Sequence, residues 1–240
     1  MLKNKKIIIV GGTLGIGLAV AQAATEAGAV VVVASRSADH LSTASHQLSA
    51  HSLIEGNVET YLLDASIEKD VAAFYEDVGA FDHLVMTIKG AHEINAFAKL
   101  DIPQARHAFD AKFWGQYYLA RYGAPKIRRG GSITLTSGIG GQKPYLGYST
   151  VAVINGAIDA LCKALAIELA PIRVNTVCPG FVATPHDSVA RQGALRSMAI
   201  TLPVRHIASP QSIASAYLYL MTSTYSTGTV LVVDGGALQI

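Results

Sequence analysis

Short runs of β-branched and other apolar residues alternate with longer amphipathic stretches along all 240 residues, and this alternation limits the fold more than any other feature. Strands are expected at Lys6–Val10, Val30–Ala34, Val58–Leu63, His83–Thr87, Ser132–Thr136, Arg173–Val177 and Thr229–Val233. Helices are expected at Ile16–Ala27, Asp39–Ser49, Ile67–Val78, Gln104–Ile127, Ser149–Leu169 and Pro210–Thr222. Several strand runs, such as Ile7-Ile8-Ile9-Val10, are apolar at every position, which suits a strand buried between two helical layers. Parallel neighbours need crossover connections, and the intervening helices supply them. The expectation is an α/β, doubly wound fold: a seven-stranded, mostly parallel sheet with helices on both faces, one domain over residues 1–240. Sheets of this kind bind ligands at the carboxyl ends of their strands.

Half of the residues are apolar and 15% are charged, against a usual figure of roughly 25%, so the chain can bury a large core and is not disordered. A formal charge of +2 is too small and dispersed to point to nucleic acid or an anionic membrane. Lys3, Lys5 and Lys6 ahead of Ile7–Val10 look like the start of a signal peptide, but Gly11-Gly12 cuts the apolar run short. The best apolar stretch, Ala29–Ala34, falls far below the roughly 20 residues of a membrane span. A cytoplasmic protein with no membrane partner is expected. Cys162 and Cys178 show no metal or CxxC spacing and read as small buried hydrophobes. The eight histidines form no HxxxH or HExxH pattern, so no metal site is expected.

Val10-Gly11-Gly12-Thr13-Leu14-Gly15-Ile16-Gly17 follows the first strand and opens the first helix. Gly11 permits a tight turn, Gly15 a close approach of backbone to a pyrophosphate, and Gly17 close helix–strand packing. A helix N-terminus adds unpaired N–H groups and a positive dipole end. Gly11, Thr13, Leu14, Gly15 and Ile16 are therefore the candidate dinucleotide cradle. The second strand ends in Ser35-Arg36-Ser37, where an NAD enzyme usually carries an acidic residue for the ribose 2′-OH. A hydroxyl and a guanidinium suit a 2′-phosphate, which favours NADP(H) over NAD(H); a solvated arginine is the alternative.

The Gly11-x-x-x-Gly15-x-Gly17 spacing, Leu63-Asp64-Ala65, Gly130-Gly131-Ser132-Ile133, Ile172-Arg173-Val174-Asn175, Pro179-Gly180-Phe181-Val182-Ala183-Thr184 and Gly228 to Gly236 together resemble the short-chain dehydrogenase/reductases over essentially the full chain. The resemblance implies a Rossmann fold. It implies that Asp64 and Ala65 sit at the adenine, that Pro179, Gly180, Val182 and Thr184 flank the nicotinamide, and that residues 184–206 form a variable substrate lid. It also implies a homodimer or homotetramer using helices Gln104–Ile127 and Ser149–Leu169.

The catalytic constellation departs from that family's pattern. Tyr148 stands in the YxxxK segment, but the lysine position reads Ala152. Thr136-Ser137-Gly138 replaces the usual serine pair, leaving Ser137 as the candidate hydroxyl. The helix asparagine is Lys112 in Lys112-Phe113-Trp114-Gly115, and Leu84 to Gly90 replaces an Asn-Asn-Ala-Gly turn. A tyrosine of pKa about 10 needs a nearby cation to donate a proton at neutral pH. Lys112 is long enough to return that cation to the vacated site, with Gly115 leaving room; an exposed surface lysine and an interface lysine are the alternatives. The expected catalytic set is Tyr148, Ser137 and Lys112, with Gly90 at the cofactor.

Lys89 is expected at ribose or phosphate or in solvent. His92 and Glu93 are candidates for the substrate entrance, and His186, Asp187, Arg191 and Arg196 for either the lid or a wet helix face. Tyr145 is a second hydroxyl or a pocket wall, and the Phe109, Phe113, Trp114 and Tyr117 stripe reads as core or interface. The expected activity is NADP(H)-dependent reduction of a small carbonyl compound, or oxidation of the matching alcohol. The competing expectation is a catalytically silent NADP(H)-binding redox sensor or oligomer partner.

Overall fold

The computed structural model describes residues 2–50, 56–90, 94–185 and 187–240. Its strands are β1 (Lys6–Val10), β2 (Val30–Ser35), β3 (Val58–Leu62), β4 (Phe81–Met86), β5 (Ile127–Thr136), β6 (Arg173–Pro179) and β7 (Val230–Val233). The helices are α1 (Gly15–Glu26), α2 (Ala38–Ala50), α3 (Glu68–Val78), α4 (Ile102–Phe109), α5 (Gly115–Gly123), α6 (Ser149–Glu168), α7 (Val189–Ala199) and α8 (Pro210–Thr222). The seven strands lie in the order β3-β2-β1-β4-β5-β6-β7, every neighbour parallel. This is the doubly wound α/β sheet expected. The chain winds outward from β1 to β3, then returns to start again at β4. The loops leaving β1 and β4 therefore diverge and open a crevice at the switch point.

Alternation along β1 shows why both faces had to be apolar. Ile7 and Ile9 join Val20, Ala24, Ile213 and Tyr217 of α1 and α8 on one face. Ile8 and Val10 join Phe74, Leu119 and Ile158 of α3, α5 and α6 on the other. The two layers clamp the sheet, and the free carboxyl ends of the strands carry the loops of interest.

Three expectations are corrected in detail. The single helix expected over 104–127 is α4 and α5 joined by a wider π turn, Asp110–Trp114, and a short 3₁₀ turn, Ala124–Lys126, carries Pro125. β5 consequently begins at Ile127, before the expected Ser132. The segment after Thr184 contains a true helix, α7, capped by Ser188, whose hydroxyl accepts from the Arg191 N–H. Finally, Ala29–Ala34 is not the most membrane-like segment: α6 is long and apolar enough to span a bilayer by length and composition. It is a core helix, burying Ile154, Asn155, Ile158 and Cys162 against the sheet.

Candidate active site

The loop between β1 and α1 is a cradle built by missing side chains. Gly11 and Gly15 adopt the left-handed conformations φ 84° and φ 52°. A Cβ on Gly17 would lie 2.2 Å from the Gly11 carbonyl oxygen and 2.4 Å from Thr87 Oγ1, so α1 is pressed onto the ends of β1 and β4. Leu14 caps α1 with no side-chain hydrogen bond, and no acidic residue occupies its first turn. The first intrahelical bond runs from the Leu18 N–H to the Leu14 carbonyl, so the preceding N–H groups are free to meet an anion. Thr13 is buried, and its hydroxyl donates to Ser35 Oγ at 3.3 Å, tying the cradle to the end of β2. Arg36 projects into solvent beside it with no side-chain partner among the described residues. Ser37 is engaged in starting α2, accepting the His40 N–H at 3.3 Å.

The remaining cofactor candidates lie around the same crevice. Asp64 follows β3 and accepts from the Ser66 N–H and hydroxyl, at 3.0 and 2.7 Å. Ala65 is buried against α5, where a Cβ on Gly115 would meet its carbonyl oxygen at 3.3 Å. Gly180 leaves β6 so close to Asp234 that a Cβ would lie 2.7 Å from its Cα. Val182 bridges to Ala208, and Thr184 lies 3.5 Å from where a Cβ on Gly15 would be. The Thr184 N–H is held by Asp187 Oδ2 at 2.7 Å. The backbone after β6 therefore closes over the glycine turn. A cradle that a Cβ would fill and an uncapped helix start fit the pyrophosphate of a dinucleotide.

Lys112 lies inside the molecule. The π turn places it opposite α6, where its ammonium donates to Asn155 Oδ1 at 2.7 Å and to the Ser137 carbonyl at 3.0 Å. The buried Gln116 side chain holds the turn there: its amide N–H donates to the carbonyls of Lys112 and Thr136, and its oxygen accepts the Thr136 N–H. Burial pulls the Lys112 pKa down from 10.5 to about 8, against the opposing pull of Cys178 and Asp159. The ammonium lands on Asn155, one turn beyond the expected Ala152. A small pocket of about 60 Å3 lies beside it, lined by Lys89, Gly90, Ala108, Lys112, Val151, Ile154 and Asn155. Gly90 is required by this packing, since a Cβ would approach Lys112 Cβ at 3.1 Å.

The two expected hydroxyls are placed differently from the lysine. Ser137 is buried, and its hydroxyl makes no hydrogen bond; it lies near the Asp159 carboxyl and the Cys178 thiol. Burial raises the pKa of both groups, the thiol to about 11. Ser137 thus serves Lys112 through its carbonyl. Tyr148 caps the start of α6; its ring packs edge-on against Tyr145 at 6.2 Å, and Tyr145 against Phe181 at 6.0 Å. Lys89 is exposed at the pocket edge. Asp187 and Arg191, expected at the lid or on a wet helix face, pair with each other at 2.8 Å, and Arg196 is exposed on α7. His92, Glu93 and His186 fall outside the described residues.

Four positions around Lys112 escaped the sequence reading: Asn155, Val151, Gln116 and Gly138. Val151 and Asn155 are four residues apart on the pocket face of α6, the same spacing as Tyr-x-x-x-Lys. A Cβ on Gly138 would face the Asn155 amide at 3.2 Å. An asparagine inside the otherwise apolar run Val151 to Ile158 was the available signal, since a buried amide needs partners.

Comparison with known proteins adds an independent view. The family model described as Enoyl-(Acyl carrier protein) reductase matches residues 11–237. The chain is 32% identical to Short-chain dehydrogenase/reductase ucsE of Acremonium sp, covering 99% of this chain and 96% of that protein. It is 31% identical to the NADP-dependent (R)-specific alcohol dehydrogenase of Lentilactobacillus kefiri, covering 98% and 97% of the two chains. Among solved structures, a small-chain dehydrogenase in complex with NADPH superposes with a TM-score of 0.85 at 36% identity, covering 99% of this chain and 100% of that one.

Proposed function

This chain belongs to the short-chain dehydrogenase/reductase family, and on that basis we propose that it is an NADPH-dependent reductase of a small carbonyl compound. The carrying observation is the Lys112 ammonium, held on Asn155 and the Ser137 carbonyl at the edge of a pocket beside the crevice. A catalytically silent protein has no need to bury a charge that costs several kcal/mol to desolvate. The neighbouring NADPH complex and the NADP-dependent alcohol dehydrogenase support the cofactor, as does the free guanidinium of Arg36 at the end of β2.

When bound, the reduced dinucleotide supplies the hydride. The chain's own groups do the rest. The α1 N-terminus and glycine turn would hold the pyrophosphate, with Asp64 and Ala65 at the adenine. Pro179, Gly180, Val182, Thr184 and Gly90 would hold the nicotinamide end. Lys112 provides the positive charge where negative charge develops on the substrate oxygen. Two groups compete to deliver the proton, Tyr148 and Lys112 itself. The protein acts in the cytoplasm as a homodimer or homotetramer, with Trp114 and Tyr117 of the π turn and α5 and Val153 and Ile167 of α6 as the exposed apolar surface a second copy covers.

The test is a fluorescence titration with NADPH and NADH, followed by a screen of diketones, aldehydes and quinones for NADPH oxidation. NADPH is expected to bind at least tenfold more tightly than NADH, with Arg36→Ala erasing most of the difference. Binding without turnover across the screen would refute the reading.

A further inference from the structure

Resting on the reductase reading just given, we propose that the Lys112 ammonium is the proton donor of the reaction, with Asn155 and the Ser137 carbonyl as its positioning groups.

A lysine ammonium has three N–H donors and no acceptor. Two are committed, to Asn155 Oδ1 at 2.7 Å and the Ser137 carbonyl at 3.0 Å. The third has no protein partner among the described residues, and Lys112 borders the pocket. None of the other lining residues, Lys89, Gly90, Ala108, Val151, Ile154 and Asn155, carries a hydroxyl. The α6 position facing the pocket four residues before Asn155 is Val151, which has no proton to give. Gly138, whose Cβ direction meets the Asn155 amide, offers no hydroxyl either. Ser137 does not line the pocket, and its hydroxyl lies near Asp159 and Cys178. Lys112 of the π turn and Asn155 of α6 thus face each other across the pocket, joined at 2.7 Å.

In the step itself, hydride adds to the carbonyl carbon as the C=O π pair moves to oxygen. The Lys112 N–H bond then breaks, its electron pair stays on Nζ, and the proton forms the O–H bond of the alcohol. The neutral amine recovers a proton from water. The groups facing Lys112 set how readily this happens. Asp159 of α6 and Cys178 of β6 favour the charged form, and Lys89 borders the same pocket from the loop after β4. Burial outweighs the two favourable groups and brings the donor to about 8, near operating pH, where general acids are most effective.

Four measurements on the full chain test this, using NADPH and the best carbonyl from the screen. Lys112→Arg keeps a cation that cannot release its proton. It should lower kcat by about 10²–10⁴-fold while NADPH affinity, read by fluorescence titration, changes by less than about tenfold. Tyr148→Phe should leave the pH profile of kcat/KM falling above about 8, because Lys112 still delivers the proton. In protein labelled with 15N-lysine, the Lys112 signal, assigned by its loss in Lys112→Arg, should titrate near pH 8 and shift on NADPH binding. A collapse of kcat in Tyr148→Phe, wild-type turnover in Lys112→Arg, or a Lys112 signal that stays charged to pH 10 would each overturn the proposal while leaving the reductase reading intact. NADPH binding with no carbonyl turned over would overturn both.

Discussion

At Gly17 a single methyl group decides whether the cradle can form. An added Cβ would sit 2.2 Å from the Gly11 carbonyl oxygen, a backbone atom that cannot swing aside. Gly17→Ala must therefore push α1 off β1, and overpacking of this kind costs about 1–3 kcal/mol. The expected outcome is a lower urea midpoint together with at least tenfold weaker NADPH binding; unchanged affinity would show that the turn tolerates the shift. Such positions were legible in the sequence, because only glycine serves where backbone meets backbone. Lys112 was legible in kind, as a cation where an amide was expected, but its landing place was not. Its reach to Asn155 depends on a partner 43 residues away, and no local spacing encodes that distance.

Among the elements, the π turn between α4 and α5 matters most for the site. It lies in a stretch whose periodicity reads as one helix, since a single wide turn alters the hydrophobic pattern too little to show. What holds it is Gln116 bridging the Lys112 and Thr136 carbonyls, a contact between a helix and the end of a strand. The centre of the sheet contains a buried titrating histidine that bears on stability. His83 of β4 is buried, with Nδ1 2.9 Å from Ser132 Oγ of β5, and burial lowers its pKa from 6.5 to about 4, with Asp82 opposing and Arg173 and Lys5 adding to the fall. Because the unfolded chain takes up this proton first, the native state keeps its full stability above about pH 6.5 and loses it as pH falls toward 4. The loss from this one residue is about 3 kcal/mol at most. Urea unfolding between pH 7 and 4 should show that slope, and His83→Gln should flatten it; an equal slope in the variant would assign the loss to carboxylates instead.

For the molecule as a whole, the π turn, α5 and α6 leave large apolar side chains exposed. Trp114 is 40% and Tyr117 39% exposed, and their rings meet at 5.4 Å, while Val153 and Ile167 stand out from α6. Light scattering should give at least twice the monomer mass, and Trp114→Asp should shift the population toward monomer with the far-UV spectrum unchanged. A monomeric wild type would remove the oligomer from the reading. At this scale the sequence was most informative. Strand-helix alternation, two-faced apolar strands and the glycine turn follow from local sterics and from hydrophobic periodicity, which act over a few residues, and they led directly to the doubly wound sheet and its crevice. The chemistry did not follow in the same way. Whether Ser137 turns its hydroxyl or its carbonyl to the lysine, whether Tyr148 or Val151 faces the pocket, and which side chain receives the ammonium depend on how helices rotate when they pack. That rotation is settled by burial summed over both faces of the sheet, and it exists only once the chain has folded.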